Sequence, residues 1–298
     1  MSTIKFIQLD PNGLCNQKCW FCPVAYLGNP ESKINQMSIR VLEKVFIEIT
    51  NKRREGLITA DFLYFSHYNE VLLYKHFDRL LQFMRDFGWT GYFLTNGTTL
   101  SKKRVDQLME YSDVNAGMCI NSPSYTEELF EKTTGHKPRM LKMLIKNVRY
   151  AIDAGLNPGM VINGIDERSN IVKGSEFPEE LEGANAREYA RAKELFPEIH
   201  IQDQPYLIDR AGYIDHIIKN KYPEGKVVGC HGNRETEWLH INALGEVFVC
   251  CNDYNMDYVF GNLVTQTLDE IWGSPRHKEV INLAYEGICT SCTSAKMI

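Results

Sequence analysis

The sequence lacks any run of about 18 apolar residues among its 298 positions, which excludes a membrane-spanning helix. Its start, MSTIKFIQLDPNG, lacks the charged-then-apolar order of a secretion signal, so we predict a cytoplasmic protein. An excess of basic residues is also missing, because 33 Lys and Arg stand against 38 Asp and Glu. We therefore predict no membrane attachment and no nucleic-acid surface.

Cysteine, in contrast, is plentiful: the chain has nine. Without a secretion signal these residues are not expected to form disulfides, because the cytosol keeps thiols reduced. They cluster at the two ends of the chain and leave one singleton, Cys119; the clusters are Cys15, Cys19 and Cys22, and Cys230, Cys250, Cys251, Cys289 and Cys292. This clustering indicates two metal sites.

The first two-thirds of the chain alternates β-rich runs with amphipathic helical runs, the pattern of a parallel sheet. The predicted strands are Ile4–Asp10, Asp61–Ser66, Gly91–Thr95, Val114–Asn121, Gly159–Gly164 and Ile199–Asp203. The predicted helices are Ser38–Asn51, Tyr74–Asp86, Ser101–Tyr111, Arg139–Ala154 and Ala184–Leu195. This α/β pattern fits either a partial barrel or an open doubly wound sheet.

The C-terminal part has a different pattern. From about Tyr222 the alternation gives way to an irregular, cysteine-bearing tail with a predicted hairpin, Glu237–Cys251, around a turn at Asn242–Gly245. We predict two domains, residues 1–220 and residues 221–298.

The first cysteine cluster directly follows the first predicted strand, and its spacing is Cys15-x3-Cys19-x2-Cys22. Three thiolates on one loop can converge on a single inorganic centre. A cubane iron–sulfur cluster normally takes four thiolates, so a triplet leaves one iron open to another ligand. The alternatives are a zinc knuckle, or thiols packed in a loop.

Polar loops follow the other predicted strands, at Ser66–Glu70, Thr95–Gly97, Asn121–Ser124 and Gly164–Glu167. Because the carboxyl ends of parallel strands meet on one face of the fold, these loops are expected to converge with the triplet.

The triplet Cys15-Asn-Gln-Lys-Cys19-Trp-Phe-Cys22, with Phe21 before its third cysteine, resembles that of the radical S-adenosylmethionine (radical SAM) superfamily. The resemblance implies a partial (β/α)6 TIM-like barrel with a [4Fe–4S] cluster on Cys15, Cys19 and Cys22. It also implies that SAM binds the open iron and is cleaved to a 5′-deoxyadenosyl radical, which abstracts a substrate hydrogen.

The same resemblance implies a set of cofactor contacts. Glu70, in Tyr68-Asn69-Glu70, stands where a carboxylate meets the SAM ammonium, although an acid there also suits a cap on the following helix. Thr133-Thr134-Gly135 stands where relatives often carry Arg-Gly, so no basic partner for the SAM carboxylate is evident. The residues implied to contact the cofactor are Phe21, Tyr68, Asn69, Glu70, Thr95, Asn96, Asn121, Asn163 and Ile165.

The tail resembles the SPASM/Twitch extension of some radical SAM enzymes, through Gly245-x-Val247-x-x-Cys250 and Cys289-x2-Cys292. It implies a small irregular iron–sulfur module with an auxiliary [4Fe–4S] cluster on Cys230, Cys250, Cys289 and Cys292. Structural zinc is the alternative. Since neighbours on a strand point to opposite faces, only one of Cys250 and Cys251 is expected to face the cluster, and the spacing from Gly245 favours Cys250.

Two further residues are candidates for direct roles toward the substrate. Cys119 shares a strand face with Asn121, so it is a candidate catalytic hydrogen-atom donor, or else a small buried hydrophobe. Arg210, in Asp209-Arg210-Ala211-Gly212, is implied by the family likeness to reach the substrate.

The function predicted from these features is oxidation, by dehydrogenation, of a small carbohydrate-like molecule, with flavodoxin or ferredoxin as electron donor. The chain begins at the first strand, which favours a small substrate over a peptide. Two alternatives stay open: a maturase that oxidises, cross-links or epimerises a ribosomal peptide, and a zinc-stabilised binding protein without redox chemistry.

Overall fold

The computed structural model describes residues 2–29, 36–163, 171–172, 175, 183–204 and 207–298. Its strands are β1 Phe6–Leu9, β2 Phe62–Phe65, β3 Thr90–Thr95, β4 Asn115–Asn121, β5 Gly159–Asn163, β6 Ile201–Gln204, β7 Val227–Cys230, β8 Trp238–Ile241, β9 Glu246–Phe248, β10 Val259–Asn262 and β11 Ala295–Met297. Its α-helices are α1 Val24–Leu27, α2 Ile39–Arg54, α3 Phe77–Asp86, α4 Lys102–Glu110, α5 Glu127–Thr134, α6 Pro138–Asp153, α7 Ala184–Leu195, α8 Arg234–Glu237, α9 Leu268–Ile271 and α10 Pro275–Glu286.

Nine strands form one sheet in the order β10-β9-β8-β1-β2-β3-β4-β5-β6. Strands β1 to β6 are parallel and follow the chain order, with Ile7 opposite Leu63 in β2. The predicted parallel α/β fold is therefore confirmed. Each connection between consecutive strands from β1 to β5 contains at least one helix, because adjacent parallel strands need a long crossover connection.

The sequence predicted the ends of several helices well. The hydroxyls of Ser38 and Ser101 accept hydrogen bonds from the backbone N–H groups of Val41 and Arg104, so both serines are N-caps as expected. Gly155, just after α6, has φ +92°. Helices α5 and α10 were not predicted.

Alternating side chains divide each strand between two faces. One face carries Ile7, Leu63 and Phe93, which are fully buried and belong to the main hydrophobic core. The opposite face carries Gln8, Tyr64 and Leu94, which line a cavity. One face of the sheet, the outer face, therefore packs in the hydrophobic core, and the other, the inner face, borders the cavity.

The tail contributes strands to the same sheet. Strand β8 lies parallel to β1, with Phe6 opposite Trp238, and β9 and β10 add antiparallel partners. The hairpin turn predicted at Asn242–Gly245 joins β8 and β9. The separate pair β7–β11 is antiparallel. The division at residue 220 remains a prediction, and β8 carries the inner face of the sheet across it.

No helix among the described residues is both long and apolar enough to cross a lipid bilayer.

Candidate cluster and cofactor site

The cysteine triplet lies on the loop after β1, at the carboxyl edge of the parallel strands. Two backbone hydrogen bonds fasten this loop to the end of α5: Lys18 N–H donates to Thr134 O at 2.9 Å, and Trp20 N–H donates to Thr133 O at 3.1 Å. Gly135 follows with φ +70°, and a Cβ there would lie 3.2 Å from Cβ of Lys18. The Thr-Thr-Gly segment therefore holds the cysteine loop.

The three thiols face one another closely enough to interact electrostatically. Burial, followed by the charges of Glu70 and Cys22 among other influences, raises the pKa of Cys15 to about 12. Burial and then Cys15 and Cys22 raise the pKa of Cys19 well above its usual value. A bound metal centre would oppose this rise, because a cation favours the thiolate form.

The two kinds of metal centre differ in the spacing of the sulfur atoms that they need. No three His, Cys, Asp or Glu side chains in the described part of the chain are placed to hold one metal ion. Tetrahedral zinc needs sulfur atoms only about 3.8 Å apart, given Zn–S bonds of about 2.3 Å. In a cubane each thiolate binds a different iron, so the sulfurs are spread more widely.

Glu70 is one of the most enclosed polar groups near the triplet, with 1% of its surface exposed. Its carboxylate accepts hydrogen bonds from Asn96 N–H at 2.7 Å and Thr95 Oγ1 at 2.9 Å, and it caps the 3₁₀ turn that follows by accepting from Leu72 N–H. Burial raises its pKa, and these hydrogen bonds oppose the rise. Glu70 thus joins the ends of β2 and β3 beside the cysteine triplet.

The triplet cavity is a recess of about 90 Å³ at the carboxyl edge. It brings together most of the sequence-predicted cofactor contacts with the three cysteines; its lining includes Cys15, Cys19, Cys22, Phe21, Tyr68, Asn69, Glu70, Thr95, Asn96 and Asn121. Asn69 is fixed by donating to Asn12 O at 2.6 Å. Gly97 turns the chain after β3 with φ +76°. No lysine or arginine among the described residues lines this recess.

One predicted contact, Asn163, is not among the residues that line the recess. Asn163 at the end of β5 donates a hydrogen bond from Nδ2 to Oδ1 of Asn121, so it supports a lining residue. Ile165 lies outside the described residues.

The tail cysteines surround a second recess, the tail cavity, of about 30 Å³. Its lining includes Cys230, Cys250, Cys289 and Cys292, together with Arg234, Glu235 and Tyr285. Backbone N–H groups of Gly232 and Asn252 donate to the sulfurs of Cys230 and Cys250 at 3.3 and 3.4 Å. Donors of this kind stabilise thiolates and tune a bound cluster.

Cys250 and Cys251 follow β9, which ends at Phe248, so the strand alternation expected from the sequence does not apply to them. Cys250 lines the tail cavity and Cys251 does not. A hydrogen bond between the two thiols, and then burial, raises the pKa of Cys250, whereas that hydrogen bond lowers the pKa of Cys251.

Between the two cysteine clusters lies a larger cavity, here called the chamber, of about 360 Å³. It adjoins the triplet cavity through Cys22, Tyr68 and Asn121, and the tail cavity through Arg234 and Asn252. Its remaining lining is Gln8, Phe21, Tyr64, Ser66, His67, Leu94, Arg210, Trp238 and Cys251. Sequence reasoning did not find Arg234 or Cys251 as chamber residues, since no local motif marks them.

His67 links the two halves of this arrangement. Its Nε2 donates to the carbonyl oxygen of Cys251 at 2.8 Å, and its Nδ1 lies 3.0 Å from Oδ2 of Asp10. The ring is therefore held from both sides at the chamber wall. It satisfies its hydrogen bonds within the protein.

Cys119 lies on the inner strand face, two residues before Asn121, and 6% of it is exposed. Burial raises the pKa of its thiol, and a hydrogen bond with Tyr92 opposes the rise. Cys119 is not among the residues that line the chamber. Its catalytic role stays a prediction without a contact to the cavity.

Family comparisons give the class of this fold and its two cysteine sites. The radical SAM superfamily model matches residues 11–167, and the SPASM iron–sulfur cluster-binding domain matches residues 230–293. The chain belongs to the radical SAM superfamily. Its cofactors are SAM and [4Fe–4S] clusters.

Individual relatives are distant. The S-adenosyl-L-methionine-dependent 2-deoxy-scyllo-inosamine dehydrogenase of Niallia circulans is 20% identical over 98% of this chain and 93% of its own length. The structure of BtrN in complex with AdoMet and 2-DOIA covers 100% of this chain and 95% of BtrN at 19% identity and TM-score 0.60. Streptococcus suis SuiB bound to precursor peptide SuiA covers 99% and 70% at 15% identity and TM-score 0.63. These structures share the fold with this chain.

Proposed function

We propose that this protein dehydrogenates a small carbohydrate-like molecule held in the chamber. The observation that carries the proposal is the position of the chamber, which borders Cys22 on one side and Arg234 and Asn252 of the tail cavity on the other. A substrate there would lie between the centre that abstracts its hydrogen atom and the auxiliary cluster, which would accept the remaining electron. When bound, the triplet cluster and SAM supply the radical that removes the hydrogen atom.

Different residues of the chain would hold the clusters, SAM and the substrate. Cys15, Cys19 and Cys22 would hold the first cluster, and Glu70 would face the SAM ammonium in a charge-assisted hydrogen bond. Cys230, Cys250, Cys289 and Cys292 would hold the auxiliary cluster. Tyr64 and Trp238 supply apolar surfaces against which the C–H faces of a sugar ring can pack.

The dimensions of the chamber support a small substrate. About 360 Å³ lies at the lower end of the range of small-molecule sites, which are about 300–1,000 Å³. The dehydrogenase relative matches nearly the whole chain, which also favours oxidation over peptide maturation. An external one-electron donor such as flavodoxin or ferredoxin would reduce the triplet cluster.

The test is anaerobic reconstitution followed by incubation with dithionite, SAM and a panel of sugars and cyclitols. We expect about eight iron atoms per chain, from two four-iron clusters. A substrate should give one ketone or aldehyde for each 5′-deoxyadenosine formed. Formation of 5′-deoxyadenosine with an epimerised or cross-linked product and no carbonyl would refute the dehydrogenase assignment.

A further inference from the structure

The chamber has an uneven charge. Its lining contains two guanidinium groups, Arg210 and Arg234, and no carboxylate in the part of the chain that the structure describes. Neither arginine forms an ion pair with a described carboxylate, although many surface arginines do, such as Arg276 with Glu279 at 3.0 Å. Two like charges that border one cavity repel each other, so an anion in the cavity would be stabilised.

Aromatic rings position both guanidinium groups without cancelling their charge. Cζ of Arg210 lies 5.9 Å from the ring centroid of Tyr68, and Cζ of Arg234 lies 4.8 Å from that of Trp238. Cation–π contacts orient the planar fork while leaving its N–H donors available. Nε of Arg210 is buried and has no hydrogen-bond partner among the described residues, so it is a donor without its acceptor.

The backbone that presents Arg210 is strained and held. Arg210 and Ala211 both have φ +56°, a left-handed conformation that side-chain-bearing residues seldom adopt. Buried Asp209 fixes the turn: its carboxylate accepts from Gly212 N–H at 3.4 Å and Asn220 N–H at 3.3 Å, and from the hydroxyl of Tyr222. Strain of this kind persists where surrounding contacts over-determine a functional side chain.

Cysteine thiols offset part of the two charges. Arg234 also borders the tail cavity, so the thiolates there would offset part of its charge. Arg210 lines neither the tail cavity nor the triplet cavity. On the chamber wall both arginines interact with the thiol of Cys251, whose pKa is lowered by a hydrogen bond with Cys250 and then by the charges of Arg234, His67 and Arg210. One thiol cannot neutralise two guanidinium groups, so the chamber keeps an excess of positive charge.

We propose that Arg210 and Arg234 bind a carboxylate or phosphate group of the substrate, so that the chamber selects an anionic sugar derivative. This inference rests on the proposed function and narrows its substrate class. Guanidinium forks match both anions with paired hydrogen bonds. Gln8, Ser66 and Asn121 remain as partners for sugar hydroxyls. An amine, such as the relative's inosamine, would meet two cations and no described carboxylate.

The test measures binding to the anaerobically reconstituted, SAM-loaded enzyme by titration calorimetry. Four matched probes are used: glucuronate, glucose 6-phosphate, glucose and glucosamine. At least one of the two anionic sugars should bind about tenfold or more tightly than glucose, and glucosamine should bind most weakly. The better anion identifies whether the site prefers a carboxylate or a phosphate.

Variants assign the preference to the two arginines. Arg210→Gln and Arg234→Gln should each reduce the preference for the anion by about tenfold, Arg210→Lys should restore part of it, and the exposed Arg276→Gln should change nothing. Iron content is measured in each variant to show whether Arg234→Gln has lost a cluster. If it has, the effect of Arg210→Gln on the anion preference alone tests the inference.

The inference is wrong if neither anionic sugar binds more tightly than glucose. It is also wrong if Arg210→Gln weakens SAM binding and leaves the sugar preference intact, since Arg210 would then serve the SAM carboxylate. Failure of the proposed function has a separate signature: an enzyme that prefers anions but yields 5′-deoxyadenosine with no carbonyl product.

Discussion

Cys250 and Cys251 are consecutive in the chain and their thiols share a hydrogen bond, yet Cys250 lines the tail cavity and Cys251 lines the chamber. The bend after β9, rather than strand alternation, produces this division. One thiol is therefore placed to bind the auxiliary cluster and the other to face the substrate.

Replacing each of these cysteines by alanine should have different effects. Cys250→Ala removes one of four ligands, so the anaerobically purified variant should lose up to about four of about eight iron atoms. Cys251→Ala should keep its full iron complement and alter only turnover. Iron and sulfide analysis checks this pair. Equal iron loss in the two variants, or loss only in Cys251→Ala, would contradict the ligand assignment.

Gly135 is expected to position the cysteine loop. Gly135→Ala and Gly56→Ala both place a side chain at positive φ, at +70° and +83°, but only the Cβ at 135 meets a neighbour, Lys18, at 3.2 Å. Each should cost about 1 kcal/mol of stability through its backbone. Only Gly135→Ala should also lower the iron bound by the triplet and the rate of SAM cleavage. Equal cleavage rates in the two variants would show that this contact is unimportant.

Glu70→Gln tests whether the Glu70 carboxylate stabilises the fold by joining the ends of β2 and β3. The amide has one acceptor oxygen where the carboxylate has two, and these now accept from Asn96 N–H, Leu72 N–H and Thr95 Oγ1. A donor left facing an NH₂ group should cost about 1–3 kcal/mol in the free energy of unfolding, measured by urea titration. Weaker SAM binding should accompany it if the carboxylate faces the ammonium. The exposed Glu279→Gln is the control. Equal free energies of unfolding in the two variants would show that the Glu70 hydrogen bonds do not stabilise the fold.

His277 should make stability depend on pH. It stacks on Phe260 at 4.0 Å, accepts from Gly273 N–H at Nδ1 and donates from Nε2 to Glu235 O, an arrangement suited to the neutral ring. Burial lowers its pKa from 6.5 to about 4. The folded state thus resists protonation, and its contribution, present above pH 6.5, is lost as the pH falls towards 4.

The expected loss between pH 7.5 and 5 is about 2 kcal/mol, at about 1.4 kcal/mol per pH unit below 6.5. His277→Gln should be less stable at pH 7.5 and should lose correspondingly less over this range in urea titrations of the cluster-loaded protein. Parallel pH curves for the wild-type protein and the variant would exclude His277 as the source.

The sequence predicted the parallel strands and the convergence of their polar ends because both follow from local patterns. Glu70, Thr95 and Asn121 meet the triplet cysteines since parallel strands end on one face. The pairing of β8 with β1 joins Phe6 to Trp238, far apart in the chain, and periodicity carries no record of such contacts. Arg234 reaches the chamber through that pairing, and Cys251 through an irregular bend, so neither could be assigned from spacing alone.

We assign the cleavage of SAM to the centre held by the triplet. The most direct measurement is 5′-deoxyadenosine formation from SAM and dithionite under anaerobic conditions, in wild-type protein and in the variant with Cys15, Cys19 and Cys22 all replaced by alanine. This assignment predicts 5′-deoxyadenosine from the wild type and none above background from the variant, which should still bind iron at its tail. Undiminished 5′-deoxyadenosine from the variant would contradict it.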